Sequence, residues 1–313
     1  MSRIVVYPAH IKTDLITHGR LQSYLNTFQV NDDRDLLGVY LWNKHICSTI
    51  YPLLAAAEIS LRNSIDSALT KKMGNAWWTG AKLQFSSYNP TQPTPHSVKV
   101  VKDNFQKAFH QAKRDMRSRY NSHAKPSHSQ IVANTDLSTW EHIFDGEFFG
   151  QVTKPNGVVT PLIWPSNLGS VFRGTWPMTS TSNFLHYVKD LVKTVREFRN
   201  RVSHNEPIWK KYGITNEQQA ITYLHEKISK IDELITLICP QKRAILAQQN
   251  LFENAYRAAS IAEIRRFQGR EGIHKVTSIR KFRKLLKESH GVENKSVMIK
   301  NGKSSIAILT LAP

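Results

Sequence analysis

The sequence predicts an all-α helical bundle with a small basic extension that ends in a β-hairpin. Three observations carry this. Apolar residues recur at helical spacing in segment after segment, most regularly at Phe184, Val188, Leu191, Val195, Phe198 and Val202, which alternate steps of four and three. With 313 residues and 40% hydrophobic content, the chain is long and apolar enough to bury a large core. β-favouring residues at 296–299 and 305–311 flank Asn301-Gly302, a hairpin turn signal. The organisation expected is a helical domain over residues 1–240 and a basic extension over 241–313.

The elements follow in order. Leu15, Ile16, Leu21, Tyr24 and Leu25 predict a helix over 11–28, and Asn31-Asp32-Asp33 offers caps for the next. Residues 34–73 read as two helices, or one kinked at Pro52, stopped by Gly74. Trp77 and Trp78 are expected to fold back on the core. A polar, proline-rich connection at 86–96 leads to a basic helix over 97–122. Its stripe is Val98, Val101, Phe105, Phe109, Ala112 and Met116; its other faces carry Lys99, Lys102, Lys107, Lys113, Arg114, Arg117 and Arg119. Residues 121–138 read as loop with one short apolar element. A short helix over 138–144, capped by Ser138, should turn Trp140 inward. An excursion loop over 146–165 and a short helix over 166–172 come next. The helix from Ser182 must end before Pro207, which disfavours helical geometry at Glu206. Thr215, with Gln218, should cap a helix to 238, and a single helix is expected over 242–267, broken by Gly269 and Gly272. Residues 278–289 form a last basic helix.

A formal charge of +19 and a pI near 9.9 favour polyanionic partners, nucleic acid ahead of an anionic membrane surface. From 242 to 303 there are fifteen Lys and Arg against five Glu. Cys47 and Cys239 are too few for a disulfide framework or a cysteine zinc site, which suits a reducing compartment. The opening MSRIVVYPAH lacks a signal-peptide core, and 46–61 is too short and polar to span a bilayer, so a cytoplasmic location is expected.

The chemistry-bearing stretch is Arg199-Asn200-Arg201-Val202-Ser203-His204-Asn205-Glu206-Pro207. Asn200 and His204 stand about 40° apart on one helix face. That face lies opposite the apolar seam and is shared by Lys193 and Arg196, while Arg199 flanks the seam. Such a set suits RNA scission by the substrate's own 2′-OH: a histidine moves the protons and an arginine fork holds the phosphate. Arginine and histidine at a helix C-terminus also complement the helix dipole, and on spacing alone that structural account outweighs the catalytic one. Glu58 and Arg62, four apart, read first as an intrahelical ion pair, with orientation of the catalytic helix or phosphate contact as the functional alternative. His123 and His128 lack a matching set of metal ligands, and His45 and His186 read as surface or packing residues.

The chain resembles the Abi family of bacterial abortive-infection proteins, within the HEPN superfamily. The resemblance rests on LVKTVREFRNRVSHNEPIW at 191–209, LLAAAEISLRNSID at 53–66, Gly74-Asn75-Ala76-Trp77-Trp78, and the aromatic elements at 140–144 and 162–172 in the expected order. It covers roughly residues 10–240. It implies a HEPN-like bundle, dimerisation, and ribonuclease activity with Arg199, Asn200 and His204 in the site, supported by Glu58, Arg62, Asn63 and Asn205. Where the family pattern places a second histidine this chain has Asn205, so no role for a second histidine carries over. Arg62-Asn63 is no duplicate site, since Ser67 stands where a histidine would be needed.

The expected function is therefore a metal-independent endoribonuclease of phage defence or a toxin–antitoxin system, with no cofactor. The alternative is a non-catalytic RNA-binding protein of the same fold. The expected partners are RNA, as substrate and also as a candidate antitoxin, and a second copy of the chain; no membrane partner is expected. Lys113, Arg114, Arg117, Arg280, Lys281, Arg283 and Lys284 are the RNA-binding candidates.

Overall fold

A computed structural model describes residues 10–89, 91–153, 157–270, 273–275, 278–289, 296–301 and 304–309. Residues 1–9, Gly272 and Gly302, on which expectations above rest, lie outside these. The chain is helical, as its periodicities imply. A π-helical turn, Ile11–Leu15, precedes α1 (His18–Leu25) and α2 (Asp33–Met73). Then come α3 (His96–Tyr120), α4 (His128–Ala133), α5 (Leu137–His142), a short antiparallel pair β1 (Gln151–Thr153) and β2 (Val159–Pro161), and α6 (Leu168–Val171). The long helices α7 (Thr181–Ser203) and α8 (Glu217–Ile238) lead to α9 (Pro240–Gln248), α10 (Leu251–Ala258) and α11 (Ile261–Gln268). The end of the chain holds β3 (Ile273–Lys275), α12 (Ile279–Ser289), β4 (Ser296–Asn301) and β5 (Ser304–Leu309). β4 and β5 form the expected hairpin, in register from Asn301↔Ser304 to Ser296↔Leu309, and β3 adds to β4 in parallel.

Several local expectations are corrected. The first helix is interrupted at Thr17, whose φ of 66° is incompatible with an α-helix. Of the two readings of 34–73 the single helix holds, and Pro52 does not divide α2. Proline removes one backbone donor, but Ile50, Leu53 and Leu54 around it are at most 1% exposed, so core packing carries the helix through. The helix that Ser138 was expected to cap is capped by Asp136, which accepts from the Ser138 backbone N–H at 2.7 Å. Likewise Asn216, not Thr215, accepts from the first turn of α8, through the Gln219 N–H at 2.9 Å. The single helix expected over 242–267 is three. Asn250 adopts φ 54° between α9 and α10, and the Ser260 hydroxyl caps α11 through the Glu263 N–H.

The chain divides into two compact units. The first comprises 1–53, 200–229 and 246–313. Its core is an edge-on aromatic cluster: Phe28 meets Trp209 at 4.7 Å and Trp42 at 5.4 Å between ring centroids. The buried Trp42 indole donates to the Ala258 carbonyl at 2.7 Å. Ion pairs join its segments, Arg270 with Asp35 and Arg265 with Glu217. Gly38 is required by contact: a Cβ there would lie 2.5 Å from the Phe267 carbonyl oxygen, a backbone atom. Gly38→Ala is expected to destabilise the protein by about 1–3 kcal/mol through overpacking, despite alanine's better helix propensity. Urea unfolding checks this; a midpoint at or above that of the parent would refute it.

The second unit comprises 54–199 and 230–245. Trp77 and Trp78 are the expected plug, 0% and 7% exposed, with Trp78 stacked on Phe105 at 4.1 Å. The Trp77 indole donates to Asp66 at 2.8 Å, and the same carboxylate lies 3.0 Å from His128 Nε2. His128 Nδ1 in turn accepts the Ala76 N–H at 3.1 Å. His128 is therefore a bracket between α4 and the end of α2, not a loop histidine.

Candidate active site at the end of helix α7

The α7 seam is buried along its whole length, with Phe184, Val188, Leu191, Val195, Phe198 and Val202 all in the core. This fixes the rotation of the helix and so decides where its polar residues point.

In the second unit, Arg199 meets Glu58 of α2, Nε to Oε2 at 3.2 Å. The Glu58 side chain is 18% exposed. The Glu58–Arg62 pair expected within α2 is not made. Arg62 instead donates to the Ala133 carbonyl at 3.1 Å and lies 3.4 Å from the side-chain oxygen of the exposed Asn63. An exposed pair four residues apart contributes only about 0.2–0.5 kcal/mol, which an arginine facing a half-buried carboxylate from another helix outbids. Arg196, expected on the open basic face, is bound to the buried carboxylate of Glu141 on α5. Lys193 remains exposed.

In the first unit, α7 closes in a way that fixes His204. The Glu206 N–H donates to the Arg201 carbonyl and the Asn205 N–H to the Val202 carbonyl, both at 3.0 Å, with Asn205 at φ 52°. This is the Schellman closure, and asparagine is among the few residues that enter the left-handed region readily. Asn205 therefore has a backbone role. The His204 N–H still donates to the Asn200 carbonyl at 3.0 Å, so the histidine ends the helical turn. Its side chain is exposed and makes no hydrogen bond among the described residues, while Asn200 is half-buried.

Sequence reasoning missed the residue that holds the next loop. Asn43, 0% exposed on α2, donates to the Glu206 carbonyl at 2.9 Å and accepts the Ile208 N–H at 3.2 Å. Lys44 reaches the Asn205 carbonyl at 3.3 Å, and the Arg201 guanidinium donates to the carbonyls of Pro207 and Lys210. The available signal was an amide inside an apolar stripe, since Val39, Ile46 and Ile50 on either side are all buried. A buried amide demands partners, and an unpaired backbone loop supplies them.

The basic surfaces separate into two kinds. Along α3, Lys99, Lys107, Arg114, Arg117 and Arg119 are exposed and Lys113 is half-buried; Arg114 donates to Gln111. Arg280, Lys281, Arg283, Lys284 and Lys287 are exposed on α12. Between 242 and 270, by contrast, arginines hold the fold: Arg243 with Asp232, Arg257 and Arg266 with Glu263, Arg265 with Glu217, Arg270 with Asp35. That part of the surplus charge has structural partners. No helix among the described residues is long and apolar enough to cross a membrane.

No curated protein and no solved structure matches the chain. A family model described as Abi-like protein matches residues 16–210, a span that holds Glu58, Arg62, Arg199, Asn200 and His204. The chain belongs to the Abi-like protein family, whose name ties it to abortive-infection defence against phage.

Proposed function

We propose that the protein is a metal-independent endoribonuclease of phage defence, built on a HEPN-type bundle and active as a homodimer. The observation that carries this is the Glu58–Arg199 pair, a guanidinium on α7 held by a carboxylate on α2, with the exposed His204 five residues further along the chain. A guanidinium fixed in this way can receive a phosphodiester with little loss of side-chain entropy. The 2′-oxygen attacks the adjacent phosphorus and the P–O5′ bond breaks. Neutral His204 of one protomer takes the 2′-OH proton, and protonated His204 of the second gives a proton to the departing 5′-oxygen. The products are a 2′,3′-cyclic phosphate and a 5′-OH, so no water is consumed in the first step. Asn200, one turn before His204, orients the histidine or the phosphate.

Purified protein with single-stranded RNA in EDTA is expected to yield 3′ fragments that accept phosphate from polynucleotide kinase without phosphatase treatment. Ends that require dephosphorylation, or cleavage that requires added metal, would overturn the mechanism. The exposed cations of α3 and α12 favour RNA binding in either case, so binding without cleavage is the result that leaves a non-catalytic RNA-binding protein.

A further inference from the structure

The second unit carries a hollow that the site on α7 does not use. Ser64, Ser67, Lys71 and Lys72 of α2 face Ser170 and Arg173 at the end of α6 across an open depression of about 580 Å³. No carboxylate lines it. Lys71 and Arg173 are exposed and pair with no acid among the described residues, and Lys72 donates to the Ser166 hydroxyl at 2.7 Å. Lysines in the last turn of α2 also offset the helix dipole, which accounts for Lys71 and Lys72. It does not account for Arg173, which comes from another element and turns to the same hollow. The Arg173 Nε donates to the Ser170 carbonyl at 3.3 Å, and the residue lines the hollow.

A second depression of about 300 Å³ adjoins the first, since Lys72 and Asn167 line both. Met73, Pro161, Leu162 and Ile163 give it an apolar wall, with Lys82, Gln84 and Thr160 at the remaining positions. Asn167 is 7% exposed and its amide donates to the Ile163 carbonyl at 2.6 Å, so the partition between the depressions is fixed. Cationic and hydroxyl groups on one side of a rigid partition and an apolar wall on the other match the two ends of a nucleotide. Glu58 and Lys71 are thirteen residues apart on α2, about 20 Å along the axis and on opposite sides of it. The hollow is thus separate from the Glu58–Arg199 pair.

We propose that this double depression binds a nucleotide, its phosphate at Lys71, Lys72 and Arg173 and its base against Met73, Pro161 and Leu162. The nucleotide can be free or part of an RNA strand, and the site needs no cleavage activity to be occupied. Isothermal titration with AMP, adenosine, inorganic phosphate and a short oligoadenylate tests it. AMP is expected to bind more tightly than adenosine or inorganic phosphate. A higher affinity for the oligoadenylate than for AMP, lost on Lys71→Ala with Arg173→Ala, would assign the site to an RNA strand, and the reverse order to a free nucleotide. Lys71→Ala with Arg173→Ala should weaken AMP binding by about tenfold or more, as loss of charge-assisted hydrogen bonds implies. Ser67→Asp, which sets a carboxylate in the hollow, should do the same. Arg20→Ala with Lys125→Ala removes equal charge from exposed positions outside the hollow and should leave AMP binding unchanged. Equal losses in the two double variants, AMP no tighter than adenosine, or no AMP binding by the parent would each overturn the proposal.

Discussion

Replacing His204 with alanine is expected to abolish RNA cleavage while leaving the protein folded. The two halves of this expectation have separate physical grounds. A histidine acting in both proton transfers contributes about 10²–10⁴-fold for each, so the variant should fall to the background of RNA hydrolysis. The fold should be nearly indifferent, because the side chain is exposed and the closure of α7 is made by the backbone of residues 200–206. Surface changes of this kind usually stay within about 0.5 kcal/mol. Cleavage assayed beside a thermal melt and RNA binding gives a clear reading: equal cleavage by parent and variant would remove His204 from the mechanism. Arg199→Ala is a poorer probe, since it also strips Glu58 of its partner.

The largest stability effect is expected at Glu263. This carboxylate is 2% exposed, 3.1 Å from His45 Nε2 and 2.9 Å from Arg266 Nε, with the Arg257 guanidinium 3.8 Å away. Glu263→Ala leaves Arg257, itself only 11% exposed, with no counter-charge, and should cost about 3–5 kcal/mol in urea unfolding at neutral pH. A cost near zero would mean that the cluster is solvated. The same residue makes stability acid-sensitive. Burial pushes its pKa up, but the close contact with His45 and the hydrogen bonds from Arg266 outweigh this and bring it from 4.5 to about 2. A carboxyl lowered on folding stabilises fully above its unfolded value, and that contribution is lost as pH falls through the folded one. The gap between parent and Glu263→Ala should therefore narrow between pH 4.5 and 2, by up to roughly 3 kcal/mol.

The helices of this fold were legible where one face is uniformly apolar. The α7 seam follows from spacing, because burial of one stripe leaves little choice of phase, and the Gly74 stop from glycine's ease at positive φ. Breaks made by backbone conformation were not. Thr17 and Asn250 both take positive φ, yet the apolar period runs past each without interruption. Three-residue strands such as β1, β2 and β3 are too short to show alternation. At the candidate site the residues could be named but not their partners. Glu58 with an arginine four residues on looks self-sufficient in sequence, and only helix packing decides that Arg199 takes the carboxylate. Glu141, which holds Arg196, was invisible for the same reason.

That choice bears on how the protein would respond to ionic strength. A nucleic acid sheds condensed counterions in proportion to the phosphates neutralised, at about 0.7 per contact for a single strand. Arg199, whose charge Glu58 already balances, would add geometry to the encounter with a phosphate and little net charge. The exposed cations of α3 and α12 would supply the salt-sensitive attraction, which raising the ionic strength removes first. Tight capture and correct cleavage would then depend on different residues: salt would slow the arrival of RNA at the end of α7 without disturbing the group that waits there.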